Sequence, residues 1–542
     1  MSQVHGGRLV VRSLKREGVE IIFSLPGVGI DCIYDGCIDE GMRIIDTRHE
    51  QAAAAMADGW TRVTGRPGVV AVTMQAGVVP MVSGIKNAES SPVFAIAGKS
   101  YFSQLDMGAS QEMDQLSLMK PIIKWGRTVY ETRRIPEYVS MAFRHALSGR
   151  PGPVYLDIPQ DIMENRVEEN EILYPEGYRT EARSQGDPRD IQKAVELLLK
   201  AKRPLVIAGS GVWWSQVGDE LRELIEMANL PFILRTKARG TVPEDHPLFV
   251  GPATVGVRRA DVILAVGITF NSRLGLGRPP VFDESTKVIQ VDIDGSVIGQ
   301  NRPVEVGIIG DAKLVLKQMV EEARDRCRSR EALPWVEECK TEYKNWRARL
   351  EAGATSDAVP IHPARLWKEV RDFLNREAIV VTDGGETGAW GSSFFRAYYP
   401  GHMLDHYPSH GLGSGIPFGI AAKLAKPDNQ VLICNGDGSF GYNGMEFDTA
   451  ARHHIPIVAV IANNGCWGTC KHRQDRVFGR DVGVELGFTR YDRVVEALGG
   501  HGEWVEKPRD IHPALQRAFA SGIPACVNVK TDPNIAPVER QW

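Results

Sequence analysis

Short apolar runs, each closed by glycine, proline or charged residues, recur along this chain with helical stretches between them. In residues 1–175 the runs fall at 19–23, 43–46, 69–73, 93–97 and 154–158. Strands alternating with helices in this way predict a parallel sheet with helices on both faces. An irregular acidic stretch, 164–187, reads as a linker. The alternation resumes at 204–208, 232–235, 262–266 and 288–292, inside a second block spanning 188–330. A charge-rich helix and linker occupy 312–360, and a third α/β block runs over 360–542. The expected fold is therefore α/β, with three doubly wound parallel-sheet domains. No short-period repeat appears, although three similar blocks are themselves a coarse one.

The third block carries the most specific pattern. A strand at 431–434, a helix at 443–453 and a strand at 457–462 form a βαβ unit. The first strand ends in Asn435-Gly-Asp-Gly-Ser439 and the second in Asn463-Asn464, with residues 439–462 between. A right-handed crossover places Asp437 and Asn464 together at the carboxyl ends of neighbouring strands. Gly436 and Gly438 allow close backbone approach, and the following helix offers free N–H groups to phosphate. One carboxylate, one amide oxygen and diphosphate oxygens suit Mg²⁺. A Gly-Asp-Gly turn alone would be common; the spaced Asn-Asn makes the reading specific.

Gly436-Asp437-Gly438 through Asn463-Asn464 resembles the thiamine-diphosphate signature. The resemblance implies that Asp437, Asn464 and the carbonyl of Cys466 hold Mg²⁺ on the diphosphate. Gly436, Gly438, Ser439, Trp467 and Gly468 would line it. A second match lies upstream. Thr47-Arg-His-Glu50 opens an alanine-rich helix ending in Asp58-Gly-Trp60, and resembles the motif carrying the catalytic glutamate of these enzymes. Glu50 would then bond the pyrimidine ring of the cofactor and share its proton. Alone, Glu50 would pass for a charged residue in a helix's first turn. Ser110-Gln111-Glu112 resembles a Phe-Gln-Glu motif, which makes Gln111 an expected hydrogen-bond donor to bound intermediates. Leu412, in Gly411-Leu-Gly-Ser-Gly-Ile-Pro417, falls where the family places an apolar wedge beneath the cofactor.

The resemblance spans nearly the whole chain and implies three domains: pyrimidine-binding (1–175), central (188–330) and diphosphate-binding (360–542). It also implies active sites between subunits, so a homodimer is the smallest catalytic unit and a homotetramer is usual. Within the superfamily the chain is most similar to the branch of acetolactate synthase, benzaldehyde lyase and 2-hydroxyacyl-CoA lyase. Ile44-Ile-Asp-Thr-Arg-His-Glu50 and Pro121-Ile-Ile-Lys-Trp125 are similar to benzaldehyde lyase. Gly444-Met-Glu-Phe-Asp-Thr-Ala450 and Asn463-Asn-Gly-Cys-Trp-Gly468 are closer to the hydroxyacyl-CoA lyases.

Several positions depart from the family. The Gly-Pro-Gly-x-x-Asn loop is replaced by Gln75-Ala-Gly77-Val-Val-Pro80. The substrate-facing Val28-Gly29 lacks the histidine of benzaldehyde lyase. The Gln-His-Gln-Met-Trp segment of acetolactate synthase is replaced by Gly385-Glu-Thr-Gly-Ala-Trp390. In 267–280, only Asn271 and the trailing glycine and prolines survive of the nucleotide-contacting stretch of CoA-using relatives, and Arg273 and Arg278 are candidates to meet CoA phosphates. Gly209-Ser-Gly211 lacks the third glycine of a dinucleotide loop and reads as a structural turn. The tail after 530 is short for a lid over CoA.

Composition adds boundaries. The 542 residues, 43% hydrophobic, suffice for about three cores. A net charge of −4 with interspersed signs gives no footprint for nucleic acid. No apolar run approaches a membrane span, and the start lacks a basic-then-apolar signal, so a cytoplasmic protein is expected. Eight scattered cysteines fit reduced thiols, and Cys466-x-x-x-Cys470-x-His472 lacks the second pair a zinc site needs. FAD, held by some relatives in the central domain, stays open as a further cofactor that a colourless purified protein would dismiss. The expected activity is a C–C lyase/carboligase of the 2-hydroxyacyl-CoA lyase type, acting on a small carbonyl or acyl-CoA. An acetolactate-synthase-like or benzaldehyde-lyase-like carboligase is the alternative. A non-catalytic cofactor-binding subunit is opposed by the joint presence of Glu50, Asp437 and Asn464.

Overall fold

Three parallel sheets, one per block, organise the chain in a computed structural model that describes residues 3–251, 255–327 and 333–537. The first block holds β1 (Gln3–His5), β2 (Ile21–Ser24), β3 (Arg43–Asp46), β4 (Gly68–Val72), β5 (Val93–Lys99), β6 (Trp125–Thr128), β7 (Val154–Pro159) and β8 (Arg166–Glu168). Its main sheet runs β3-β2-β4-β5-β7-β6. The central block holds β9 (Pro204–Ala208), β10 (Phe232–Leu234), β11 (Val262–Val266), β12 (Lys287–Asp292) and β13 (Val306–Ile309), ordered β10-β9-β11-β12-β13. The last block holds β14 (Ile379–Thr382), β15 (Met403–Asp405), β16 (Val431–Gly436), β17 (Val458–Asn463), β18 (His501–Val505) and β19 (Ala525–Lys530). Its order is β15-β14-β16-β17-β19-β18, the same winding as the first sheet. Interior strands such as β4 and β16 are buried along their whole length, which is why they read as unbroken apolar runs.

Some expectations change in detail. The single helix expected over 443–453 is two, Asp437–Asn443 and Glu446–Arg452, separated near Gly444. The stretch expected as a linker from 164 begins instead with β8, which pairs antiparallel with β1. Strands β6, β13, β15 and β18 were not anticipated; each is a sheet edge of three to five residues, and β6, β13 and β18 are partly exposed. Interior β14 was also passed over. The central charge-rich stretch forms the helices Ala312–Ala323 and Pro334–Leu350, while 328–332 and the end of the tail, 538–542, lie outside the described residues.

First and last domains meet through the helices Glu50–Thr64 and Gly415–Ala425. The contact is close because the facing residues are small. A Cβ on Gly59 would sit 3.0 Å from the Phe418 Cα. Buried Arg62 pairs with Asp58 at 2.7 Å and donates to the carbonyls of Asp405 (2.6 Å), Tyr407 (2.9 Å) and Asn87 (3.1 Å). Arg239, paired with Glu244 at 2.7 Å, donates to the Ser392 and Phe395 carbonyls and so ties the central domain to the last. Glu446 accepts the Arg48 backbone N–H at 3.0 Å and the Thr449 hydroxyl at 2.6 Å.

Burial pushes the Glu446 carboxyl up to about 7, against the hydrogen bonds from Thr449 and Arg48 that pull it down. Its ordinary value is 4.5, so between the two the folded protein holds a proton that the unfolded chain has released. Stability contributed here is therefore present at low pH and falls as pH rises through that window, by roughly 3 kcal/mol in all. Glu446→Gln should flatten the decline of the thermal midpoint between about pH 5 and pH 7. An unchanged slope would remove Glu446 as its source.

Candidate active site

Strand β16 pairs with β17 so that Asn435 faces Ile461 and Gly436 faces Ala462. The chain leaves both strands at the same sheet edge, Asp437 from one and Asn464 from the other. Asp437 is 3% exposed. Its Oδ1 accepts the Gly438 N–H at 2.9 Å, but its buried Oδ2 has no partner. Burial pushes this carboxyl up to about 7, opposed by backbone N–H groups of Gly438, Gly465 and Cys466. Asn435 Oδ1 and Ser414 Oγ are likewise buried and unpartnered. Ser439 Oγ accepts the Gly436 N–H at 3.1 Å and holds the turn.

The two asparagines divide their work. Asn463 donates to the Thr489 carbonyl (2.9 Å) and to Asn528 (3.1 Å), and so is structural. Asn464 Oδ1 accepts the Cys466 N–H at 3.1 Å, curling the loop so that the Cys466 carbonyl lies beside it. That carbonyl also accepts from Gly468 at 3.0 Å. Trp467 donates its N–H to Val484 at 2.8 Å, pinning the loop from outside. Its ring covers Gly438, where a Cβ would lie 2.5 Å from the indole. The Cys466 thiol is buried, and burial first and then Asp437 push it up to about 12.

A second carboxylate, not anticipated from the sequence, organises the loop carrying Leu412. Asp383 follows β14 and is fully buried; it accepts the N–H groups of Gly384 (2.7 Å), Gly413 (3.3 Å) and Gly415 (2.8 Å). Burial raises its carboxyl, and His406 opposes the shift. Gly413 has φ +87 and a Cβ there would lie 2.5 Å from Tyr442, so glycine is required. Half-buried Leu412 immediately precedes Gly413, whose carbonyl accepts Asn443 Nδ2 at 2.7 Å. The available signal was Asp383-Gly-Gly directly after an apolar strand, the same kind of punctuation as at Asp437.

In the first domain Glu50 begins its helix and is 8% exposed, with no hydrogen-bond partner for its carboxylate among the described residues. Its neighbour Gln51 donates to the Leu412 carbonyl at 3.1 Å. Gln111 is exposed and has φ +57; the loop before it is tied by Glu112, which accepts N–H groups of Asp106, Gly108 and Ala109. Val28 is exposed, whereas Gly29 is buried against Met74 and Gly98.

The central domain opens a cleft of about 1320 Å³ at the carboxyl ends of β9, β11 and β12, where open α/β sheets take ligands. Asn271 and Arg273 line it together with Arg235, Asp292 and Asp311. Asn271 donates to the Tyr407 hydroxyl; Arg273 lies over the Tyr407 ring at 4.7 Å and meets His410 at 3.2 Å. The cleft thus reaches the segment leading to Leu412. Arg278 is not among its lining residues; it is exposed and donates to the Asn301 carbonyl at 3.3 Å.

An unpaired buried carboxylate oxygen, an amide oxygen and a backbone carbonyl at one sheet edge fit a hard cation carrying a diphosphate. Family comparison agrees with this geometry. Residues 4–118, 191–319 and 383–529 match the N-terminal TPP binding, central and C-terminal TPP binding domains of thiamine pyrophosphate enzymes. The chain belongs to the thiamine pyrophosphate enzyme family. Within it, the chain falls in the acetolactate synthase and 2-hydroxyacyl-CoA lyase branch of C–C lyases and carboligases. It is 38% identical over 539 residues to acetolactate synthase large subunit IlvG of Mycobacterium tuberculosis, covering 98% of this chain and 97% of that protein. It is 31% identical over 550 residues to 2-hydroxyacyl-CoA lyase of Arabidopsis thaliana (98% and 96%) and 30% over 549 to human 2-hydroxyacyl-CoA lyase 1 (98% and 95%).

Asp437→Ala removes the unpartnered buried carboxylate oxygen that fits a cation and should abolish Mg²⁺-dependent retention of thiamine diphosphate. Calorimetry of the apoprotein with both ligands checks this; binding equal to wild type would refute the ligand assignment.

Proposed function

We propose that this enzyme is a Mg²⁺-dependent lyase/carboligase that interconverts a 2-hydroxyacyl-CoA with an aldehyde or ketone plus formyl-CoA. The observation that carries this reading is the central cleft. Its volume suits a nucleotide-bearing tail, and Arg273, Tyr407 and His410 carry it to the loop of Leu412. Bound thiamine diphosphate supplies the nucleophilic carbon and the electron sink for making or breaking a C–C bond. Asp437, Asn464 and the Cys466 carbonyl hold Mg²⁺ on its diphosphate, and Leu412 supports it from beneath. Glu50 holds the proton exchanged at the pyrimidine ring, and Gln111 donates a hydrogen bond to the bound substrate.

A second reading, an acetolactate-synthase-like carboligase of 2-oxo acids, is favoured by the 38% identity to a protein of that name. The cofactor residues would serve it unchanged.

A second copy of the chain completes the site in either reading. Phe102 and Met107 lie exposed a few residues before Gln111, and Tyr442 and Met445 lie exposed a few residues after Asp437. Apolar residues grouped on both halves of one site call for a cover, and a homodimer, doubled into a tetramer, provides it. Among the described residues no cysteine is in a disulfide, which supports a cytoplasmic setting, and no helix is long and apolar enough to cross a membrane.

Glu50→Gln keeps the shape of the side chain and removes proton transfer, so C2–H/D exchange of the bound cofactor should slow by roughly 10²–10⁴-fold. Exchange as fast as wild type, read by NMR, would take Glu50 out of this role.

The substrate is decided by one panel: formyl-CoA with formaldehyde or acetone, pyruvate alone, and benzaldehyde, with products identified by mass spectrometry. A new 2-hydroxyacyl-CoA, weakened at the KM level by Arg273→Ala, is expected. Acetolactate from pyruvate with inert CoA esters would replace this reading by the second.

A further inference from the structure

Beside Asn464 sits a carboxylate that the cofactor assignment does not use. Glu386 is the second residue of helix Gly385–Phe394, and its side chain is only 10% exposed. Asn464 Nδ2 donates to Glu386 Oε2 at 3.5 Å. His472, one turn into the helix that follows the cation loop, brings Nε2 to 3.6 Å from the same oxygen. The space for this carboxylate is made by a glycine. A Cβ on Gly468 would lie 1.6 Å from Glu386 Oε2 and 2.8 Å from Asn464 Nδ2.

The chemistry of an amide gives this arrangement its consequence. A primary amide has one donating end and one accepting end, and only the accepting end can ligate a cation. An ionised carboxylate accepts and does not donate, so Glu386 engages the NH₂ end of Asn464 alone. Oδ1 is then turned away from Glu386, to the side where the Cys466 N–H meets it at 3.1 Å. That oxygen keeps a second lone pair for a cation. Groups behind a metal ligand commonly orient it in this way, and their loss costs about 10–100-fold in metal affinity. A single bond of 3.5 Å belongs at the lower end of that range. The sequence had marked the segment only as a departure, Gly385-Glu-Thr-Gly-Ala-Trp390 where acetolactate synthases carry Gln-His-Gln-Met-Trp.

We propose that Glu386 is a positioning residue that fixes the Asn464 amide with Oδ1 toward the Mg²⁺ of the cofactor, and that Gly468 is glycine because any larger residue would expel that carboxylate. The proposal rests on the reading of Asp437 and Asn464 as cation ligands.

The test uses the apoprotein with saturating thiamine diphosphate and Mn²⁺ as the probe metal, titrated by calorimetry. Trp467 fluorescence gives an independent readout, since its ring covers Gly438 in the same site. Glu386→Ala should weaken Mn²⁺ binding about tenfold. Glu386→Gln still offers the Asn464 amide an acceptor and should recover most of that loss, which a variant that merely damaged the fold would not do. Gly468→Ala should reproduce the Glu386→Ala effect. Added to Glu386→Ala it should cost little more, because the methyl and the Asn464 amide can share the vacated space; such non-additivity marks a shared interaction. Asp437→Ala is the control. If it loses the metal while Glu386→Ala binds as wild type, the positioning role is wrong and the ligand assignment survives. A Glu386→Gln variant no better than Glu386→Ala, or fully additive losses in the double variant, also overturns the proposal. Wild-type binding by Asp437→Ala overturns both.

Discussion

A buried carboxylate oxygen with nothing to accept from is the constraint on which this structure turns. Taking an isolated carboxylate out of water costs several kcal/mol even after relaxation, and proteins avoid it unless a partner compensates. Asp437 is placed in that position by strand pairing, not by local preference: β16 and β17 are buried along their length and deliver it to the sheet edge whatever its solvation. The raised carboxyl records the unbalanced cost. A divalent cation reverses the sign of this local electrostatics, because it favours the ionised form that burial disfavours. A cation bound there would couple its own loading to the folding of the strand ends; Asn435 Oδ1, next to Gly415, is likewise buried without a partner.

The rest of the molecule holds that edge in register with its surroundings. The first and last sheets share one strand order, and each presents the helix that follows its second strand to the other. Small residues let the two helices approach until the Gly59 backbone nearly touches Phe418. Arg62 then crosses the seam and caps carbonyls on both sides of it, next to the segment leading to Leu412. Arg239 does the same for the carboxyl end of helix Gly385–Phe394, whose other end carries Glu386. Both arginines are buried with a carboxylate partner, so truncating either would leave an uncompensated charge at a domain seam, a loss typically of about 3–5 kcal/mol.

What the sequence made legible follows from how local each signal is. Asp437, Asn464 and Glu50 stand at the ends of continuous apolar runs, and their punctuation by glycine or a helix start is readable without knowing the fold. The edge strands β6, β15 and β18 are short, and β6 and β18 are partly exposed, so their pattern dissolves into the flanking loops. Asp383 was equally well punctuated but resembled nothing with a known task, and its work, accepting from Gly413 and Gly415, lies some thirty residues away in the chain. Arg278 and Arg273 look alike in sequence; only the fold turns one toward Tyr407 and the other toward the Asn301 carbonyl.

The same distinction separates cofactor recognition from substrate recognition. Cofactor recognition depends on backbone geometry at one sheet edge, where a few glycines and oxygens must occupy fixed places. The lining of the central cleft is gathered from side chains of three domains, and no single spacing encodes it. Arg273 reaches that cleft only because Asn271 caps its own turn and binds Tyr407 across a domain boundary. The link from cleft to Leu412 therefore runs through contacts that relatives can exchange without disturbing Asp437 or Asn464. A branch in which the chemistry is kept and the substrate changes is what such a division of labour permits.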